Sequence, residues 1–147
     1  MALPAARTIY RRQTLPVLRF FNTDREWIEV IRANDLHENI NFWRRDKRRV
    51  HLPEGSRLYF RLSGSKLVAG RAHLREQTVL TVREAWDRFG IGNGVTSFER
   101  LQHRVEEVLK IKDDSVACLV LDNVELLDPS NYPALPTDFQ GNQNPKD

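Results

Sequence analysis

The stretch Arg57-Leu58-Tyr59-Phe60-Arg61-Leu62-Ser63-Gly64-Ser65-Lys66 decides the fold. Its first six residues alternate, so Leu58, Phe60 and Leu62 face one side while Arg57, Tyr59 and Arg61 face the other. Ser63-Gly64-Ser65 is a tight turn, and Lys66–Leu74 returns as a second strand. Gly70 in that strand marks a bulge or a close backbone approach. A β-hairpin with one apolar face therefore lies near the middle of the chain.

Working toward the N-terminus, Leu52-Pro53-Glu54-Gly55 is a turn signal, and Ile40, Phe42 and Trp43 suit a short strand. Before them Thr23-Asp24-Arg25-Glu26 has the spacing of a capping box. Trp27, Val30 and Ile31 then give the helix one apolar face, and it should end near Asn34. Pro16–Phe21 reads as a strand, and residues 1–14 as a flexible basic arm.

Toward the C-terminus, Thr81-Val82-Arg83-Glu84 is a second capping box. Val82, Ala85, Trp86 and Phe89 make its helix stripe, and Gly90 can close it. Gly90-Ile91-Gly92-Asn93-Gly94 reads as a flexible connector, with Asn93 serving a positive-φ turn. Thr96 to Glu99 starts a third helix lined by Phe98, Leu101, Val105, Val108 and Leu109. Val116–Leu127 is a last, long strand, and residues 129–147 read as an extended tail or linker. The order predicts an α+β domain over residues 15–128, a small β-barrel with about three helices inserted between strands.

The bulk numbers fit one soluble globular domain: 147 residues, 40% hydrophobic and 29% charged. No apolar run approaches the roughly 20 residues of a membrane span, and the N-terminus lacks a signal-peptide core. A cytoplasmic, nucleoid-associated location is the expectation. The single Cys118 excludes an internal disulfide and lies in an apolar run as an inert thiol. The net charge is only +3, but Arg7, Arg11, Arg12, Arg19 and residues 44–49 concentrate positive charge while the last forty residues lean acidic. One basic face and a polyanionic partner follow from that asymmetry.

The chemistry concentrates in Asn39-Ile40-Asn41-Phe42-Trp43-Arg44-Arg45-Asp46-Lys47-Arg48-Arg49. Aromatic rings offer faces on which bases stack, amides pair with base edges, and Arg or Lys neutralise phosphates. A buried Phe-Trp strand running into a solvated basic turn is the competing reading. By strand alternation Asn39, Asn41 and Trp43 share one face and Phe42 takes the other, toward the core. The expected base pocket is Asn39, Asn41, Trp43 and Tyr59. The expected phosphate grip is Arg44, Arg45, Lys47, Arg48 and Arg49, extended by Arg57 and Arg61. Trp27, Trp86, Phe89 and Phe98 lie on helical stripes and read as core.

Catalytic patterns are weak. His37, His51, His73 and His103 lack metal-ligand spacing, and no nucleophile elbow is present. The glycine loop at residues 90–94 lacks the strand before it and the Lys-Ser/Thr after it that a phosphate loop needs. No cofactor, metal or enzymatic activity is expected.

Taken together, Asp24-x-x-Trp27, Asn39-Ile40-Asn41-Phe42-Trp43, Leu52-Pro53-x-Gly55-x-x-Leu58-Tyr59-Phe60, Leu67-Val68-Ala69-Gly70, Ala85-Trp86-x-x-Phe89-Gly90-x-x-Asn93-Gly94-Val95 and Val116-Ala117-Cys118-Leu119-Val120-Leu121 resemble the N-terminal domain of a group of bacterial HNH restriction endonucleases. That domain is similar to the EVE and SRA modules of the PUA-like superfamily. The resemblance implies a PUA-like pseudo-barrel that reads duplex DNA carrying 5-methyl- or 5-hydroxymethylcytosine by base flipping, as the specificity module of a modification-dependent restriction system. The sequence departs from the pattern in its heavy basic run and in Arg71-Ala72-His73 after Gly70, and it carries no HNH motif. An RNA-binding module, a protein-interaction module and a nucleotide-processing enzyme are the alternatives from other classes.

Overall fold

The computed structural model describes residues 19–110 and 114–136, with the backbone of residues 143–144 and without the side chain of Leu109. The expected arm at residues 1–14, with Arg7, Arg11 and Arg12, lies outside the described residues. Six strands form one sheet: β1 (Phe20–Thr23), β2 (Ile40–Arg44), β3 (Arg57–Leu62), β4 (Val68–Thr81), β5 (Ser115–Leu126) and β6 (Gln143–Asn144). Their order across the sheet is β2-β5-β4-β3-β1-β6. β1 runs parallel to β3 and β6, and the other pairs are antiparallel. Among the described residues three α-helices are inserted: α1 (Arg25–Ala33), α2 (Val82–Phe89) and α3 (Phe98–Arg104).

The architecture is α+β, as expected, but the barrel is not closed. No pairing joins β2 to β1 or β6 among the described residues. The gap is occupied by α1, whose Trp27 indole donates from Nε1 to the carbonyl oxygen of Asn41 on β2 at 3.0 Å. A side chain thus satisfies an edge acceptor that a further strand would have taken. Phe21, Trp27, Phe42 and Phe60 meet inside the curve, with ring centroids 5.1 to 6.1 Å apart. Each aromatic pair of this kind is worth about 0.5–1.5 kcal/mol beyond its buried area. Leu58, Phe60 and Leu62 do bury on this side, as their alternation requires.

A second core lies on the other face of β2 and β5. It holds Trp43, Val82, Ala85, Phe89, Val95, Leu101, Val116, Cys118 and Val120. Both faces of β2 are therefore covered, and all five of its residues are buried.

Local corrections have clear causes. The capping box at Thr81 and Glu84 forms, with both reciprocal bonds present. The one at Thr23 and Glu26 does not: Thr23 donates its hydroxyl to Phe21 O, Glu26 pairs with Arg100, and the N-cap is Asp24 without a side-chain cap bond. Tertiary partners won over local ones. β4 runs seven residues past the expected end at Leu74, because Glu76–Thr81 pair along β5. The polar Arg75-Glu76-Gln77-Thr78 masked that strand. The glycine connector is a 3-10 turn (Gly90–Asn93) with Gly92 and Asn93 buried. Positive φ falls on Gly90 and Gly94, not on Asn93. The third helix gives way to a π-helical turn at Val105–Leu109, which leaves Val108 41% exposed. Gly70 marks a close approach, since a Cβ there would overlap the Glu125 carbonyl. Residues 129–136, expected within a tail, lie along the β3–β4 hairpin through Val68 N–H to Pro133 O and Leu135 N–H to Lys66 O.

Candidate nucleic-acid interface

Two cavities draw lining residues from the C-terminal half of β2, Arg44 in one and Phe42 with Trp43 in the other. The first is a cleft of about 110 Å³ lined by Arg44, Lys47, Arg48, Arg49, Gln77, Thr78, Val79, Ala117, Cys118 and Leu119. Its floor follows from register. Ala117 on β5 is opposite Arg44 on β2 and opposite Val79 on β4, so the small Ala117 leaves a trough between two larger side chains. The loop after β2 forms the wall, tied down where Val50 N–H donates to Gln77 Oε1 at 2.8 Å and Gln77 Nε2 donates to Val50 O at 2.9 Å. Four cations converge here and no carboxylate is among the lining residues.

Within the basic run the charges are not equivalent. Arg44 is buried at the base of the cleft, whereas Lys47, Arg48 and Arg49 are exposed. Arg48 donates from Nη2 to Asp46 Oδ2 at 2.7 Å and from Nε to Oδ1 at 3.0 Å. Those bonds, with the Arg48 backbone N–H, hold the Asp46 carboxyl well below the usual carboxylate range. Asp46 thereby folds the run into a turn at the cost of part of Arg48's charge. Arg45 is exposed but is not among the residues lining the cleft. Cys118 is buried beneath it, and burial pushes its thiol up to about 11.

The second cavity is an aromatic crevice of about 50 Å³ lined by Asn22, Thr23, Asp24, Trp27, Phe42, Trp43 and Val108. It opens between β1 and the free edge of β2, where the barrel fails to close. Trp27, Phe42 and Trp43 are each less than a tenth exposed. The Trp43 indole donates from Nε1 to Asn93 O at 2.8 Å, so its position is fixed.

The expected base-pocket residues do not converge. Asn39 has φ of 56°, which breaks the strand alternation, and its Oδ1 accepts from Arg75 Nη2 at 2.7 Å. Asn41 is fully buried and donates from Nδ2 to Asn93 Oδ1 at 2.8 Å. Tyr59 stacks on Phe20 at 5.1 Å, on the outer face of β3. Arg57 and Arg61 share that face, and Arg61 donates from Nε to Ser65 O at 2.9 Å. β3 lies two strands beyond β5 in the sheet, so these three are remote from the cleft wall. Of the four expected pocket residues Trp43 lines the crevice, and it does so from the buried second core. Phe42, assigned to the core, and Trp27, assigned to a helical stripe, share the crevice with it. Asn22 and Asp24 supply its polar rim. No spacing rule links Asp24 to Trp43, and only the meeting of α1 with the edge of β2 does so.

A third, open basin of about 510 Å³ lies on the far side, lined by Glu54, His73, Arg75, Asp122 and Asn123 among others. Arg75 and Asp122 are paired there: Arg75 donates from Nη1 to Asp122 Oδ2 at 3.2 Å and the Asn39 N–H to Asp122 Oδ1 at 2.8 Å. Among the described residues no His, Cys, Asp and Glu side chains converge as a metal site, and no helix is long and apolar enough to cross a membrane.

No protein-family model matches the sequence, and no curated protein matches it. Among solved structures, a point variant of the ASCH protein from Zymomonas mobilis superposes with a TM-score of 0.55 and 18% identity, covering 82% of each chain. The parent ASCH protein of the same organism gives 0.49 and 17%, covering 76% of this chain and 73% of that one. A hypothetical protein, PH0355, gives 0.45 and 23%, covering 75% of this chain and 99% of its own. At such identity the likeness is one of fold: an α+β arrangement shared with the Zymomonas mobilis ASCH protein, built here on an open sheet.

Proposed function

We propose that this domain reads a modified cytosine, 5-methyl or 5-hydroxymethyl, in duplex DNA by drawing the base into the aromatic crevice. The observation that supports it is the juxtaposition at the end of β2: Trp43 lines the crevice and the next residue, Arg44, lines the cationic cleft. A flipped nucleotide needs both at once, an aromatic slot for the base and cations for the flanking phosphates. Extrusion costs a few kcal/mol of stacking. Contact with aromatic walls returns ~1–3 kcal/mol, and Arg45, Lys47, Arg48 and Arg49 supply the sequence-independent remainder through phosphates. The domain would act as the specificity module of a modification-dependent restriction system, with catalysis belonging to a separate HNH nuclease domain.

The crevice at about 50 Å³ is smaller than a pyrimidine, so the base must displace its lip. Val108, exposed on the π-helical turn, is that lip. A narrow slot admits a methyl or hydroxymethyl group and excludes a glucosylated one. The test is a fluorescence-anisotropy panel of duplexes carrying cytosine, methylcytosine, hydroxymethylcytosine or glucosylated cytosine, at fixed salt. The expected order places methyl and hydroxymethyl tightest. Val108→Trp, which fills the mouth without touching the core, should abolish the preference and leave binding to unmodified duplex in place. Equal affinity for all duplexes refutes the reading, and tighter binding to RNA of the same sequence transfers it to RNA.

A further inference from the structure

Asp24 is the N-cap of α1, yet its carboxylate does not cap that helix. It lines the crevice instead, and Arg104 Nη2 holds its Oδ2 at 2.5 Å. The Arg104 side chain is only 12% exposed and is itself fixed by Glu107 Oε1 at 2.5 Å and Glu26 Oε1 at 3.4 Å. A guanidinium clamped by three carboxylates has little rotational freedom, so the direction in which Asp24 points is set by α3 and not by its own backbone. Arg104 takes Oδ2, and Oδ1 is the second acceptor oxygen of the same carboxylate. An ionised carboxylate accepts and never donates. The crevice therefore presents aromatic walls and, at its rim, an acceptor whose orientation is fixed from a second helix.

We propose that Arg104 is a positioning residue that sets the base preference of the crevice. By fixing the Asp24 carboxylate at the rim of the slot, it selects a base with an exocyclic amino group over one with a carbonyl at the same ring position. The inference rests on the reading of the crevice given above and adds the residue that decides which base is accepted. An amino group donates to that carboxylate, whereas a carbonyl there meets a second acceptor and leaves both unpaired. A hydrogen bond to a charged group of about 1.5–3 kcal/mol corresponds to a preference of roughly tenfold to a hundredfold. The same segment carries the lip residue Val108, so the group that orients Asp24 is covalently continuous with the wall a base must move.

The experiment uses two duplexes that differ at one base pair: 5-methylcytosine opposite adenine, and thymine opposite guanine, so that both are mispaired. The wild-type protein should favour methylcytosine by at least about tenfold. Arg104→Gln should bring the two within about threefold of each other, while its affinity for unmodified duplex stays at the wild-type value. Arg104→Lys should restore part of the preference, and Asp24→Asn should lose it as Arg104→Gln does. Arg100→Gln is the control, because it breaks the neighbouring pair of Arg100 with Glu26, at 2.6 Å, without touching Asp24. It should keep the preference. Retained discrimination in Arg104→Gln overturns the proposal, as does equal loss in Arg100→Gln, which would make both pairs mere helix staples. A wild-type protein that prefers modified over unmodified cytosine but not methylcytosine over thymine overturns this inference alone. One that distinguishes no duplexes at all overturns the reading of the crevice with it.

Discussion

Replacing Asn93 by alanine should be among the most damaging single changes in this domain that leave the apolar core intact. Asn93 is fully buried between β2 and α2. Its Nδ2 donates to Ala85 O at 3.0 Å and to Gly90 O at 2.8 Å, and its Oδ1 accepts from Asn41 Nδ2 at 2.8 Å. Three side-chain bonds at about 1 kcal/mol each give about 3 kcal/mol. The Asn41 amide, itself fully buried, then loses its acceptor, which adds ~1–3 kcal/mol of desolvation penalty. The expected loss is about 4–6 kcal/mol, or roughly 10–20 °C in melting temperature for a domain of this size. Urea denaturation followed by tryptophan fluorescence measures it. The orphan penalty predicts more: Asn41→Ala added to Asn93→Ala should cost less than the sum of the singles, by ~1–3 kcal/mol in a double-mutant cycle. A loss below about 1.5 kcal/mol, or an additive cycle, would refute the assignment of Asn93 as the polar joint that seats Trp43 and the crevice.

Other outcomes can be checked directly. Gly94→Ala should destabilise by about 2–5 kcal/mol, because φ is 74° there and a Cβ would overlap the Trp27 indole. Gly64→Ala, with φ of 77° and open space, should show only the backbone part of about 1–2 kcal/mol in the same melts. Reversing charge at Arg48 and Arg49 together should lower affinity for every duplex and flatten the log K against log salt slope by about 2. An unchanged slope would return the loop to solvated surface. His37 donates from its ring nitrogens to Val124 O at 2.7 Å and Asp35 Oδ1 at 2.8 Å, so both contacts favour the protonated ring. Its pKa is raised above 6.5, chiefly by the Val124 carbonyl and then by Asp35. The stability it contributes is complete below pH 6.5 and is lost as pH rises through the higher folded value. An NMR titration should place its midpoint above 6.5, and Asp35→Asn should lower it.

The structure also changes which mutations are informative. Trp43→Ala is a natural first test of base stacking from sequence alone. With Trp43 packed in the second core and bonded to Asn93 O, that change costs about 3–5 kcal/mol of stability and confounds any binding result. Val108→Trp and Arg104→Gln alter the same crevice from the solvent side and from the rim.

Local patterning located most of the elements and their faces. Period-two alternation put Leu58, Phe60 and Leu62 inside, Phe42 in the core and Asn41 with Trp43 on the opposite side. Helix stripes and the Thr81–Glu84 box located α2 and its start. These are local quantities, carried by side-chain periodicity and by residues a few positions apart. What lay beyond the sequence were the choices between a local partner and a distant one. Glu26 looks like the closing half of a capping box, but a guanidinium 74 residues away binds it more strongly. Asn39 looks like a strand residue, but a left-handed φ turns it to Arg75 on β4. The crevice is the clearest case, since Asp24, Trp27, Trp43 and Val108 come from α1, β2 and the π-helical turn. Such a site exists because the sheet stops short of closing and one indole fills the gap, and an unclosed seam leaves no periodic trace in the chain.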